Sequence, residues 1–138
     1  MSKHAWGKSR SIYCDGKIQV DLIRGWDGGA SSLHCHHFKH NLFIVLAGGI
    51  SLTDEGGDET HLLKGDVGSN SALIRAGDWH RMTFTAHTTA IEVYMSTAEI
   101  PILDPVATMY ADIERKDVGV EPTTVPLRHP HNIWPLMD

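Results

Sequence analysis

The chain is a succession of short apolar runs separated by glycine-rich turns, and several runs alternate polar and apolar positions with the period of two that marks a strand. Lys17, Gln19 and Asp21 alternate with Ile18, Val20 and Leu22, so this strand buries one face. It follows Ile12-Tyr13-Cys14 across Asp15-Gly16, a pair that reads as a two-residue hairpin turn. Thr89 to Ser96 alternates Ile91, Val93 and Met95 against Glu92 and Tyr94. The pattern leaves the inward set open: either Glu92 and Tyr94 line an interior pocket, or the three apolar residues fill it. Leu42 to Ala47 has no alternation, which predicts a strand covered on both faces, by a barrel interior and by a second subunit.

Gly48-Gly49 turns that run into Ile50-Ser51-Leu52-Thr53, and Asp54 to Glu59, with Gly56-Gly57 at the tip, closes a hairpin onto Thr60 to Leu63. Shorter apolar stretches follow at Ala72 to Ile74 and Arg81 to Ala86. Strands at such even spacing indicate an all-β barrel or sandwich. The tail departs from the pattern. Asp104-Pro105 suits a helix start, and Val106, Met109, Tyr110 and Ile113 share one helical face, predicting an amphipathic helix over roughly 105–117. Arg115 and Lys116 suit its C-terminal end, and Gly119 its stop. Residues 121–138 hold four prolines and no periodicity, which predicts an extended arm whose Trp134 docks on something, such as a partner subunit.

Composition narrows the class. A chain of 138 residues fits one domain, 1–138, with a barrel core over about 10–98 and the helix and arm over about 104–138. A net charge of −5 gives no basic footprint for nucleic acid. Two cysteines, Cys14 and Cys35, cannot build a disulfide framework and suit a reducing compartment. There is no apolar run of membrane-spanning length, and Met1 to Trp6 lacks the apolar core of a signal peptide, so a cytoplasmic location is expected.

The candidate chemistry lies in histidine. Residues 34–40 contain four of the ten histidines. On a strand His34 and His36 project to one face, with Cys35 and His37 opposite. Downstream, Arg75-Ala76-Gly77-Asp78-Trp79-His80 is a turn that leads into a strand, and a closed barrel can bring His80 opposite the first pair. Three neutral imidazoles from two strands are a common ligand set for Fe, Mn, Ni, Cu or Zn, with positions left open for water and substrate. Met82 and Phe84 would share the inward face of His80 and make the pocket partly apolar. Arg75 could hold an anionic substrate at the mouth, although packing or surface roles account for most arginines. No role is assigned to His4, His61, His87, His129 or His131. The paired knuckles of a zinc finger, a helical His-Glu-x-x-His, a Gly-x-Ser-x-Gly elbow and a phosphate-binding glycine loop are all absent.

These two segments resemble the two motifs of the cupin superfamily, Gly-x5-His-x-His-x3,4-Glu-x6-Gly and Gly-x5-Pro-x-Gly-x2-His-x3-Asn. Gly28, His34, His36 and Gly48 fall at the required spacings of the first, with Asn41 in the glutamate slot. Gly77 and His80 match the second, with Arg75 for the proline and Phe84 for the asparagine. Gly65-Asp66-Val67 is similar to the usual opening of that motif, but four extra residues precede the Arg75 slot. The resemblance implies a cupin-like double-stranded β-helix (jelly-roll) barrel with a divalent metal ion inside, held by His34, His36 and His80, and Asn41 in the fourth ligand slot. His40 is an alternative fourth ligand if the register shifts by one residue. Fewer anionic ligands favour a three-histidine set, as in the cupin-like thiol dioxygenases, or a loosely held metal. The resemblance further implies a small-molecule substrate or ligand. Either an enzyme of dioxygenase, isomerase or lyase type or a non-catalytic binding module would fit, and a homodimer is expected from Leu42 to Ala47 and the arm.

Overall fold

The computed structural model describes residues 2–63, 69–97 and 113–116. Among them every regular element is a strand: β1 Ser2–His4, β2 Gly7–Cys14, β3 Ile18–Gly25, β4 His34–His36, β5 Lys39–Ala47, β6 Gly49–Asp54, β7 Glu59–Leu63, β8 Ser71–Ile74, β9 His80–Phe84, β10 Thr88–Ser96 and β11 Ile113–Arg115. They form a six-stranded sheet in the order β1-β2-β3-β10-β5-β8 and a five-stranded sheet in the order β11-β4-β9-β6-β7. From β4 to β10 the chain passes repeatedly between the two sheets, as a jelly roll does. Ile23, Phe43, Val45 and Ala90 of the larger sheet pack against Ile50, Leu52, Leu62, Met82 and Phe84 of the smaller one, closing the core. Gly25 of β3 lies against the Phe84 ring so closely that a Cβ there would overlap Cγ, Cδ1 and Cδ2 of the ring.

The inner wall of the larger sheet is graded. Antiparallel register places Gln19, Tyr94 and Asn41 in one inward row, Asp21, Glu92 and Phe43 in the next, and Ile23, Ala90 and Val45 in a third. One end of the barrel is therefore polar and the other apolar. β3 buries one face as its alternation requires, but that face carries Gln19, Asp21 and Ile23. β10 turns Glu92 and Tyr94 inward, leaving Ile91, Val93 and Met95 half-buried outside. β5 also alternates in burial: Asn41, Phe43 and Val45 are inside, and Leu46 is 46% exposed. On the outer side, for which the sequence predicts cover by a second subunit, Leu42 and Ile44 are half-buried among the described residues.

Two local expectations change. The β2–β3 turn falls one residue later than Asp15-Gly16: the Asp15 amide donates to the Ile18 carbonyl at 3.1 Å, leaving Gly16 and Lys17 at the tip. Cys14 pairs with Gln19, and the Asp15 carboxylate accepts from the Lys17 and Ile18 amides at 2.9 and 2.8 Å. Ile113–Arg115, expected in a helix over 105–117, form β11, whose three residues pair with His36, Cys35 and His34. An exposed edge at β4 captures this segment more effectively than local helical periodicity holds it. The rest of that predicted helix, the arm over 121–138 and Gly65-Asp66-Val67 lie outside the described residues. Among the described residues no helix is long and apolar enough to cross a membrane.

Candidate metal centre

The three expected histidines converge. β4 and β9 pair with His34 directly opposite His80. Strand alternation brings His36 to the same side, and the ring centroids lie 4.4 Å (His34–His80), 5.1 Å (His34–His36) and 5.8 Å (His36–His80) apart. One ligand nitrogen from each falls within 4.8 Å of the other two. The turn before β9 fixes this geometry: Gly77, with φ of 89°, donates its amide to the His36 carbonyl at 2.7 Å. The left-handed backbone there favours glycine.

The local chemistry suits a divalent ion. His34 Nδ1 donates to the Ser32 carbonyl at 2.8 Å and His80 Nδ1 to the Asp78 carbonyl at 3.1 Å. A carbonyl can only accept, so each Nδ1 carries the proton and each Nε2 presents a lone pair. His80 Nε2 is buried without a hydrogen-bond partner, a costly arrangement that a metal ion would relieve. Burial, reinforced by the neighbouring imidazoles, holds His34 down at about 2, and burial holds His80 down at about 4. Both rings are therefore neutral and competent as ligands at neutral pH.

Asn41 is buried on β5, and its Nδ2 donates to Glu92 Oε2 at 2.8 Å. Its amide nitrogen is thus committed to a carboxylate, and any ligand role falls to Oδ1. His40 faces the other way and accepts the Ala76 amide at Nδ1, 2.8 Å, so it braces the turn before β9 and the register shift that would make it a ligand does not occur. Arg75 lies at the Asp78 turn, its carbonyl accepting the Asp78 amide at 3.0 Å. Met82 and Phe84 are buried beside His80, as expected.

A cavity of about 90 Å³ opens in front of the histidines, lined also by Asp21, Glu92, Tyr94 and Arg115. A wider groove of about 570 Å³ reaches His80 from the other side, between the β6–β7 hairpin and Trp79. Glu92 is the group that the alternation of β10 left undecided. Burial, and then the nearby Asp21 charge, push its carboxyl up to about 7, against the opposing effects of hydrogen bonds from Tyr94 and Asn41 and the Lys39 ammonium. Burial also raises Asp21, whose oxygens accept from Gln19 Nε2 at 3.0 and 3.1 Å. Lys39 is fully buried with its ammonium 4.3 Å from the Tyr94 ring centroid. Sequence reasoning missed Asp21, Lys39 and Arg115. Asp21 stands on a face whose polarity suggests solvent, Lys39 is a residue type that rarely lies buried, and Arg115 falls in the segment expected to be helical. Arg115 Nη1 donates to Ser32 Oγ at 2.6 Å, the residue whose carbonyl orients His34.

No family model matches the chain, and no curated protein is similar to it in sequence. Solved structures are similar in fold. KdgF from Halomonas sp. aligns with a TM-score of 0.62 at 12% identity, over 72% of this chain and 86% of that one. A cupin superfamily protein from Desulfitobacterium hafniense gives 0.57 at 14% identity, over 70% and 83%. An RmlC-like cupin from Shewanella frigidimarina gives 0.60 at 15% identity, over 71% and 83%. The chain therefore shares its fold with these cupin structures, the fold that the two histidine motifs imply.

Proposed function

We propose that the protein is a metal-dependent cupin enzyme of the isomerase or lyase type, moving a proton on a small polar molecule held between the three histidines and Glu92. The observation that carries this reading is the placement of a buried carboxyl, Glu92, in the same cavity as three convergent neutral imidazoles. His34, His36 and His80 would hold the ion, with Asn41 Oδ1 as the candidate fourth donor. A divalent ion bound there supplies Lewis acidity toward a substrate oxygen. Glu92 provides the carboxyl that takes up or delivers the proton, and Asn41 Nδ2 orients its Oε2. Tyr94, 5.6 Å from the His36 ring, and the buried Phe43 limit the access of water. Arg115 at the cavity wall favours a substrate with an anionic or carbonyl oxygen.

The test combines metal analysis of untagged protein with a screen of small hydroxy and keto acids for deuterium uptake from heavy water. Stoichiometric metal, with exchange that Glu92→Gln abolishes while metal content is kept, supports the reading. Metal-free protein under every purification condition overturns it in favour of a non-catalytic binding module. Iron with substrate-dependent oxygen consumption overturns it in favour of a dioxygenase, the reading that the absence of a carboxylate among the three convergent ligands favours.

The assembly proposed is a homodimer through the outer face of the larger sheet. Register aligns Leu22, Ile91 and Ile44 in one outward row, and Val20, Val93, Leu42 and Leu73 in the next. Leu73 is 48% and Leu46 46% exposed in the single chain. The apolar centre of this face, shared by β3, β10 and β5, can complement itself, which is what a two-fold interface requires.

A further inference from the structure

Strand β4 has a second face. His34 and His36 point into the cavity, so Cys35 and His37 share the outer side. β11 pairs with β4 so that Glu114 stands directly opposite Cys35, which brings its carboxylate to that side as well. Cys35 Sγ lies 3.8 Å from His37 Nε2. The same nitrogen lies 3.9 Å from Glu114 Oε1, and all three atoms fall within 4.8 Å of one another.

Both short distances end on one ring nitrogen. A relay of nucleophile, base and orienting carboxylate uses the two different nitrogens of an imidazole, so this arrangement is not such a relay. Three donor atoms around a common point are what a tetrahedral ion requires. With Zn–S about 2.3 Å and Zn–N about 2.0 Å, sulfur and nitrogen donors stand roughly 3.5 Å apart, a few tenths of an ångström closer than the 3.8 Å between Cys35 Sγ and His37 Nε2.

We propose that Cys35, His37 and Glu114 form a second metal site, for a borderline divalent ion such as zinc, back to back with the histidine site across β4. Thiolate, imidazole and carboxylate together select zinc or cobalt over calcium or magnesium. Cys35 is only 1% exposed, which shields the thiolate. The side chains of His37 and Glu114 are 46% and 55% exposed, so the ion enters from solvent and water completes its coordination. The site has a structural consequence. Glu114 sits between Ile113 and Arg115, which line the inner cavity, so an ion bound outside pins β11 and holds that part of the cavity wall in place.

The test is a cobalt(II) titration of the full chain carrying Cys14→Ser, which removes the exposed thiol. The expected result is a near-ultraviolet thiolate-to-cobalt charge-transfer band, which the sulfur-free histidine site cannot produce. The band persists in His80→Ala and is lost in both His37→Asn and Glu114→Gln, exposed substitutions that leave the core untouched. No band at saturating cobalt overturns the proposal. So does a band unchanged in both exposed variants, which would assign it to Cys35 alone.

Discussion

Asp21 and Glu92 stand directly opposite each other on β3 and β10, with both side chains lining the cavity that the three histidines share. Each carboxyl is held by a neutral amide, Gln19 for Asp21 and Asn41 for Glu92. Two adjacent buried carboxyls cannot both ionise cheaply, so the pair retains a proton that isolated carboxyls would have lost.

This pairing predicts the pH behaviour of Glu92→Gln. The Glu92 carboxyl goes from an ordinary value of 4.5 to about 7 on folding. Between those values the unfolded chain releases a proton that the folded chain keeps, so this group's contribution to stability is full below 4.5 and is lost as pH rises to 7. Glu92→Gln removes that loss. Urea unfolding of metal-free protein should show the variant more stable than wild type by on the order of 3 kcal/mol at pH 8, with the difference vanishing near pH 4.5. A pH-independent difference would show that the carboxyl is not buried in this way.

The histidines act in the opposite sense. His34 and His80 titrate at about 2 and about 4 when folded, against 6.5 unfolded. Their contribution is complete above 6.5 and is lost as pH falls through the window below it, because the unfolded chain takes up protons that the folded site refuses. Metal-free protein should therefore lose stability progressively below pH 6.5. Added metal at a hundred times its dissociation constant should raise stability by about 2.7 kcal/mol at neutral pH. His36→Ala should lower metal content by one ion per chain with circular dichroism unchanged; retention of the full complement would exclude the histidine site.

Gly25→Ala tests the close approach of β3 to β9. The added methyl meets the Phe84 ring, which is fully buried and has nowhere to move. The denaturation midpoint should fall, corresponding to about 1–3 kcal/mol, the range for overpacking a filled core.

Val93→Lys tests the assembly. Val93 is at the centre of the outer apolar rows, between Val20 and Leu42. Light scattering should give a dimer mass for wild type and a monomer mass for the variant, with metal content unchanged. A monomeric wild type would remove the proposal.

The strands, most of their turns and the three convergent histidines were legible because each rests on local pattern: period-two alternation, glycine at turns, and motif spacing. Inward and outward faces were not. Hydrophobicity points the buried face toward Val20 and Leu22 or Ile91 and Val93, whereas the site end of this barrel buries Gln19, Asp21 and Glu92 instead. A polar cavity reverses the rule that usually assigns faces. β11 was illegible for a different reason. Ile113 falls at helical spacing and Arg115 suits a helix end, and only the edge of β4, a tertiary fact, makes this segment a strand.

The reversed polarity of β10 also bears on how the chain reaches this arrangement. Sliding β10 by one residue against β3 and β5 would bury Ile91, Val93 and Met95 and expose Glu92 and Tyr94. For an isolated chain that slipped pairing satisfies hydrophobic burial better than the native one, so the sheet is locally frustrated. Native register is held by specific links, Asn41 to Glu92 foremost. The Asn41–Glu92 hydrogen bond is thus a register lock as well as part of the cavity wall: loss of it should slow refolding, which stopped-flow refolding of Asn41→Ala would read.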